Sequence, residues 1–187
     1  MNDIERNRNL DIVVYGATGF TGTLVAEYLL RQYGIGKEVR WAIAGRSASK
    51  LAEVKQQLGE GAADLEVIVA DSSDEDALAS LAKSTRVVLT TVGPYAIYGS
   101  TLVGACVEAG TDYCDLAGET QWIRKMIDTY HERACETGAR IVHCCGFDSI
   151  PSDLGTLMLQ EAIQIVRHGG KLIVTALFFE EVPSDAT

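Results

Sequence analysis

Val14-Tyr15-Gly16-Ala17-Thr18-Gly19-Phe20-Thr21-Gly22 decides how this chain is read. An apolar run, Leu10-Asp11-Ile12-Val13-Val14, leads into it and reads as a short buried strand. Leu24-Val25-Ala26-Glu27-Tyr28-Leu29-Leu30 follows, with apolar residues at helical spacing. Strand, glycine-rich turn and helix N-terminus in that order make an anion site. The first backbone N–H groups of a helix have no intrahelical partners, and the helix dipole favours negative charge there. In such a turn Gly16 permits the tight bend, Gly19 the close approach of a pyrophosphate, and Gly22 the close packing of helix on strand. Thr18, Phe20 and Thr21 complete the candidate phosphate loop. The glycine spacing is G-x-x-G-x-x-G, one residue wider at the front than the usual dinucleotide fingerprint. The strand and helix on either side supply the context that the motif needs.

Working outward, strand and helix patterns alternate along the whole chain. Strands are expected over residues 10–15, 39–45, 65–70, 86–92, 112–116 and 140–145. Helices are expected over 19–33, 47–58, 75–82, 100–109, 119–136 and 152–166. Ser47 is placed to cap the second helix, and Ser73 with Asp76 resembles a capping box for the third. Near-continuously apolar strands that alternate with helices imply a parallel sheet covered on both faces: an α/β, doubly wound Rossmann domain. Residues 1–9 are polar and read as a flexible lead-in, and 10–168 as the Rossmann domain. Within 169–187, the strand-like run Lys171–Phe179 has no helix after it. That tail reads as the start of a second domain, absent from this sequence, for substrate binding or dimerisation.

Bulk properties narrow the function. With 187 residues there is room for one domain with a proper core. The net charge of −10 argues against a nucleic-acid footprint, which needs a basic patch. No apolar run approaches the ~20 residues of a membrane span, and no basic segment precedes an early apolar one. The expected location is cytoplasmic. The five cysteines include no CxxC pair and read as free thiols in a reducing compartment. His131 and Cys135, four apart on one helix, lack a second ligand pair, so no metal is expected.

The tip of the second strand selects the cofactor. An NAD site needs a carboxylate there for the ribose 2′-OH. This tip reads Ala44-Gly45-Arg46-Ser47, with no acid before Glu53. The Arg46 guanidinium can pair with a 2′-phosphate, Ser47 can donate to it from the helix start, and Lys50 adds charge one turn on. The expected cofactor is therefore NADP. Asp71, after the third strand, is placed either to touch the adenine amino group or to cap a helix. Val92, Gly93, Pro94 and Tyr95 end the fourth strand where the nicotinamide ribose would pass.

These motifs, with His143-Cys144-Cys145-Gly146-Phe147-Asp148-Ser149-Ile150-Pro151-Ser152-Asp153, resemble the saccharopine dehydrogenase-like oxidoreductases and, within them, the trans-acting enoyl reductase branch. The resemblance spans about Leu10 to Gly155. It implies an NADP-binding N-terminal domain, hydride transfer from NADPH to a small or acyl substrate such as an enoyl thioester, and a homodimer in full-length relatives. True saccharopine dehydrogenases instead reduce an imine, and the cofactor domain does not separate the two chemistries. A non-catalytic module that senses NADP for a partner would use the same glycine turn and Arg46. Candidates for chemistry at the strand tips are Tyr95, Tyr98, Glu119, Cys144 and Asp148. Helix capping competes as the explanation of Glu119 and Asp148, and packing alone is the favoured reading of Tyr95.

Overall fold

The computed structural model describes residues 8–165. Six strands, β1 (Leu10–Tyr15), β2 (Trp41–Gly45), β3 (Glu66–Val69), β4 (Thr85–Thr90), β5 (Asp112–Cys114) and β6 (Ile141–Val142), form one sheet in the order β3-β2-β1-β4-β5-β6. All neighbours pair parallel. The helices are α1 (Phe20–Tyr33), α2 (Ala48–Gln57), α3 (Glu75–Ser84), α4 (Tyr95–Tyr98), α5 (Ser100–Ala109), α6 (Thr120–Thr137) and α7 (Ile150–Ile165). The order reverses between β1 and β4. That is the switch point above which doubly wound sheets hold their ligands.

Alternation along the strands sorts the core into two layers. Val14 and Ile43 join Ala26 and Leu29 of α1 and Leu51 and Val54 of α2 on one face. Val13, Tyr15, Ala42 and Val88 join Leu78 and Leu81 of α3, Leu102 and Val103 of α5, and Trp122 and Met126 of α6 on the other. Helices α2, α3 and α5 have ten residues each, a length that is marginal in isolation. Burial holds them, at about 1.5–3 kcal/mol for each large apolar side chain removed from water.

The chain divides into two compact units between Asp148 and Ser149, and α7 belongs to the second. The domain limit expected at residue 168 and the strand expected over 171–179 lie outside the described residues. Within the expected lead-in, Arg8 is buried. Its guanidinium donates to the Thr85 carbonyl, to Thr111 Oγ1 at 2.6 Å and to the Ala109 carbonyl at 2.5 Å. That end of the lead-in is therefore anchored.

Three local expectations are corrected. Asp74, not Ser73, caps α3, its Oδ1 accepting from the Ala77 N–H at 2.9 Å. Ser73 is occupied by Asp71, whose Oδ1 accepts from both its N–H and its hydroxyl. Strand β4 stops at Thr90 because Thr90 Oγ1 takes the Val92 N–H and the chain turns. β6 is two residues long: Asp115 draws the following segment off the sheet by accepting the N–H groups of Cys144 and Cys145, and Cys144 adopts a φ of 62°.

Helix α1 sits hard against the glycine turn. A Cβ at Gly22 would lie 2.2 Å from the Gly16 carbonyl oxygen and 2.8 Å from the Ala17 Cα, both of them backbone. Gly22→Ala is therefore expected to destabilise the fold by about 1–3 kcal/mol or more, read as a lowered denaturant midpoint. At Gly19 the nearest atom to such a Cβ is 3.5 Å away, an ordinary contact, so Gly19→Ala should leave the midpoint within about 0.5 kcal/mol of wild type. Equal midpoints for Gly22→Ala and wild type would contradict this packing.

Candidate functional site

The glycine turn is fixed by its neighbours before any ligand arrives. Gly16 has a φ of 92°, and a Cβ there would strike Val92 Cγ2 at 2.6 Å. The N–H groups of Gly16 and Ala17 donate to the Ala44 carbonyl, at 2.8 and 3.3 Å. Thr91 Oγ1 donates to the Gly16 carbonyl from the end of β4. Thr23 Oγ1 ties the first turn of α1 back to the Ala17 and Gly19 carbonyls at 3.0 Å. The turn is thus held between β2 and β4, with the N-terminus of α1 behind it.

Above it runs a groove of about 320 Å³, lined by residues at the carboxyl ends of β1, β2 and β4. Gly16, Thr18 and Gly19 come from the turn, Arg46 from the tip of β2, and Val92, Gly93 and Tyr98 from the β4 end. All seven belong to the expected site. Phe20 and Thr21 open α1 with exposed side chains and do not line the groove, but their N–H groups belong to the unpartnered first turn beside Gly19. Ser47 caps α2, its Oγ accepting from the Lys50 N–H at 3.4 Å; it and the exposed Lys50 stand next to Arg46 without lining the groove. Asp71 lies beyond β3. Its bonds from Ser73, reinforced by the charge of Arg46, hold its carboxyl below the usual range.

Sequence reasoning missed Tyr15, Gly45, Ser72 and Thr91 as lining residues. All four end a strand or follow one, and that position was the available signal.

The five candidates for chemistry separate clearly. Tyr98 lines the groove. Tyr95 turns inward. It is buried against Trp122 with ring centroids 5.6 Å apart; its hydroxyl donates to the Thr90 carbonyl at 3.2 Å and accepts from the Leu116 N–H at 3.3 Å. Pro94, joined to Gly93 by a cis peptide bond, is the N-cap residue of α4. Glu119 takes the N–H groups of Tyr95 and Ala96 at 2.7 and 2.8 Å. Cys144 Sγ donates to the Ala117 carbonyl at 3.0 Å. Asp148 is exposed after the β6 loop. Helix α4 was not foreseen, because the carboxylate at its N-terminus arrives from a distant part of the chain.

Beside this wall lies a polar cluster that sequence reasoning also missed. Asp115 is 1% exposed. Its Oδ2 meets the Tyr113 hydroxyl at 2.9 Å and His143 Nδ1 at 2.7 Å, and its Oδ1 accepts from the N–H groups of Ala117 and Cys144. A carboxylate only accepts, so His143 carries its proton on Nδ1. An acid at the tip of a strand in a parallel sheet was the signal, since a buried carboxylate requires partners. Burial pushes the Cys114 thiol up to about 11 and raises Cys106 and Cys145 as well, which disfavours the thiolate at all three. His131 Nε2 and Cys135 Sγ are 3.9 Å apart. Among the described residues no group of three or more His, Cys, Asp or Glu side chains could hold a metal ion.

A glycine turn feeding a helix N-terminus, an arginine at the β2 tip and a groove across the switch point define a Rossmann domain for a dinucleotide. Residues 12–142 match the saccharopine dehydrogenase NADP binding domain, and the chain belongs to that family, whose dinucleotide is NADP. The trans-acting enoyl reductase of Mycobacterium tuberculosis (strain ATCC 25618 / H37Rv) is 53% identical over 152 residues, which cover 81% of this chain and 36% of that protein. Its counterpart from Mycobacterium leprae (strain TN) is 49% identical over 162 residues, 87% of this chain and 38% of that protein. The chain thus spans little more than a third of the length of these curated relatives. Among solved structures, apo saccharopine dehydrogenase (L-Glu forming) from Saccharomyces cerevisiae superposes with a TM-score of 0.68 at 16% identity, covering 85% of this chain and 32% of that one. The triphenylmethane reductase of Citrobacter sp., complexed with NADP(H), gives 0.52 at 19% identity, covering 71% and 48%. At these identities the two structures share the fold. Among the described residues no helix is long and apolar enough to cross a membrane.

Burial pushes the hydroxyls of Tyr95 and Tyr15 up to about 12. A phenol whose pKa is raised by folding contributes stability below its unfolded value of about 10 and loses it as the pH climbs from there towards 12. Tyr95→Phe should therefore remove one late-titrating phenol from the tyrosinate absorbance curve. It should also lower stability at neutral pH by about 1–3 kcal/mol, the loss of two buried hydrogen bonds. An unchanged titration curve would contradict the inward placement.

Proposed function

We propose that this chain is the cofactor half of an NADPH-dependent reductase, with Arg46 as the residue that selects the 2′-phosphate. The observation that carries this reading is the placement of Arg46 in the groove at the β2 tip, where an NAD site would have an acid. The pyrophosphate would lie over Gly19 and the first N–H groups of α1, beside the Thr18 and Thr21 hydroxyls. The side-chain-free backbone at Gly19 suits that approach: a Cβ there would meet only ordinary contact within the protein and would intrude on the ligand. Ser47 and Lys50 flank the 2′-phosphate from the first turn of α2, and Asp71 stands on the adenine side. Val92, Gly93 and Tyr98 wall the nicotinamide half.

NADPH, when bound, supplies the hydride. The chain's own residues would bind the two ends of the cofactor and hold the β4 turn beside the nicotinamide. The names of the mycobacterial relatives, enoyl reductases, make an enoyl compound the favoured acceptor class. The acceptor site and any dimer contact would come from the part of such a protein that follows residues 10–168. The five free thiols suit a cytoplasmic setting.

Calorimetric titration tests the assignment. Arg46→Ala should weaken NADPH binding by about 10- to 100-fold, the worth of a charge-assisted contact of 1.4–2.8 kcal/mol, and leave NADH nearly unchanged. Gly19→Ala, neutral for stability, should weaken both. Equal loss of NADPH and NADH on removing Arg46 would refute the 2′-phosphate assignment.

A further inference from the structure

Glu119 occupies the N-cap position of α6 yet makes no side-chain bond to its own helix. Its two carboxylate oxygens go instead to the N–H groups of Tyr95 and Ala96, the first two of α4, at 2.7 and 2.8 Å. Helix α4 has no cap of its own, because Pro94 precedes it and offers no side-chain acceptor. Two orphan donors at a positive helix end are thus satisfied by one anion from 23 and 24 residues away. The Tyr95 hydroxyl fixes the same turn from below, through the Thr90 carbonyl and the Leu116 N–H. Three of these hydrogen bonds clamp the β4–α4 turn to the β5–α6 loop, and the fourth ties it to the end of β4. Trp122, on the first turn of α6, extends the clamp by donating from Nε1 to Ser100 Oγ at 3.0 Å.

The clamped segment is the part of the groove beyond the switch point. It presents Val92, Gly93 and Tyr98, while the glycine turn and Arg46 lie on the β1–β2 side. Each half of a doubly wound sheet takes one nucleotide of a dinucleotide. Given the 2′-phosphate at Arg46, the β4 half takes the nicotinamide nucleotide.

We propose that Glu119 is a positioning residue for the nicotinamide half of the site: with both oxygens engaged by backbone donors, it sets the β4–α4 turn and takes no proton from substrate. The inference rests on the NADPH reading above. It predicts a division of effects that general destabilisation would not produce. Glu119→Gln keeps the shape of the side chain but sets an amide NH2 against a backbone N–H, which removes one bond and leaves the other without its charge. The turn loosens while the adenine side keeps its contacts.

The test is calorimetric titration of wild type, Glu119→Gln and Arg46→Ala with NADPH and with adenosine 2′,5′-bisphosphate, which carries the adenine half and lacks the nicotinamide nucleotide. Glu119→Gln should weaken NADPH by about tenfold, equivalent to 1.4 kcal/mol, and leave the bisphosphate within about twofold. Arg46→Ala should weaken both. Hydrogen exchange supplies a ligand-free readout: the Tyr95 and Ala96 amides should lose protection in Glu119→Gln while those of α1 keep theirs. If Glu119→Gln does not fold, Tyr95→Phe releases the other side of the clamp and should show the same division between the ligands. Equal weakening of both ligands, or unchanged NADPH binding, overturns the proposal. Failure of wild type to bind either ligand overturns the NADPH reading instead, and the exchange comparison then decides whether the clamp exists.

Discussion

The contact on which the site depends is backbone against backbone: the first turn of α1 rests on the Gly16 carbonyl, with no side chain at Gly22 between them. The parallel sheet supplies a switch point by topology alone, but a switch point is only a crevice. It becomes an anion site when a helix N-terminus is brought directly behind the turn that leaves β1. A methyl group at residue 22 would push that terminus away, and the unpartnered N–H groups with it. Gly16 meets the matching demand on the other side, bending through a left-handed φ under the Val92 side chain. The two glycines make the fold and the phosphate site one feature.

From there the site spreads along the carboxyl ends of the strands, and its two halves are built differently. On the β2 side local sequence does the work. Ser47 caps its own helix and Arg46 follows directly from the strand end. On the β4 side the wall is assembled from distant parts. Glu119 and Leu116 hold α4, and Asp115 gathers Tyr113, His143 and the loop after β6. Membership of the saccharopine dehydrogenase NADP binding domain family agrees with this division, since a common cofactor half can serve many acceptors.

The same division explains what was legible in the sequence. Periodicity exposed the six strands and their helices because each element's apolar pattern is carried within it. The glycine turn and the Ser47 cap were legible for the same reason: strand, turn, cap and helix follow one another directly in the chain. The cap of α3 fell to Asp74 rather than Ser73, because two oxygen-bearing side chains stood side by side and Asp71 had already engaged the serine. Helix α4, the partners of the Tyr95 hydroxyl and the buried Asp115 were not legible. Each depends on a partner about 20 to 30 residues away that only the folded sheet brings near. Glu119 drew attention as an acid at a strand tip, but the helix it serves is not its own.

The anchoring of Arg8 has a consequence for how the chain comes together during synthesis. Its guanidinium reaches Thr85, Thr111 and Ala109, so it waits for partners that emerge 77, 103 and 101 residues later. Strand β1 shares this delay, since its neighbour β4 begins at Thr85. Local pieces such as α1 with β1 and β2 can assemble as they appear, but the centre of the sheet closes late. Non-local pairings of this kind slow folding and leave strand edges exposed meanwhile. A nascent chain that ends before about Thr90 would therefore present an open β1 edge to whatever else is near the ribosome.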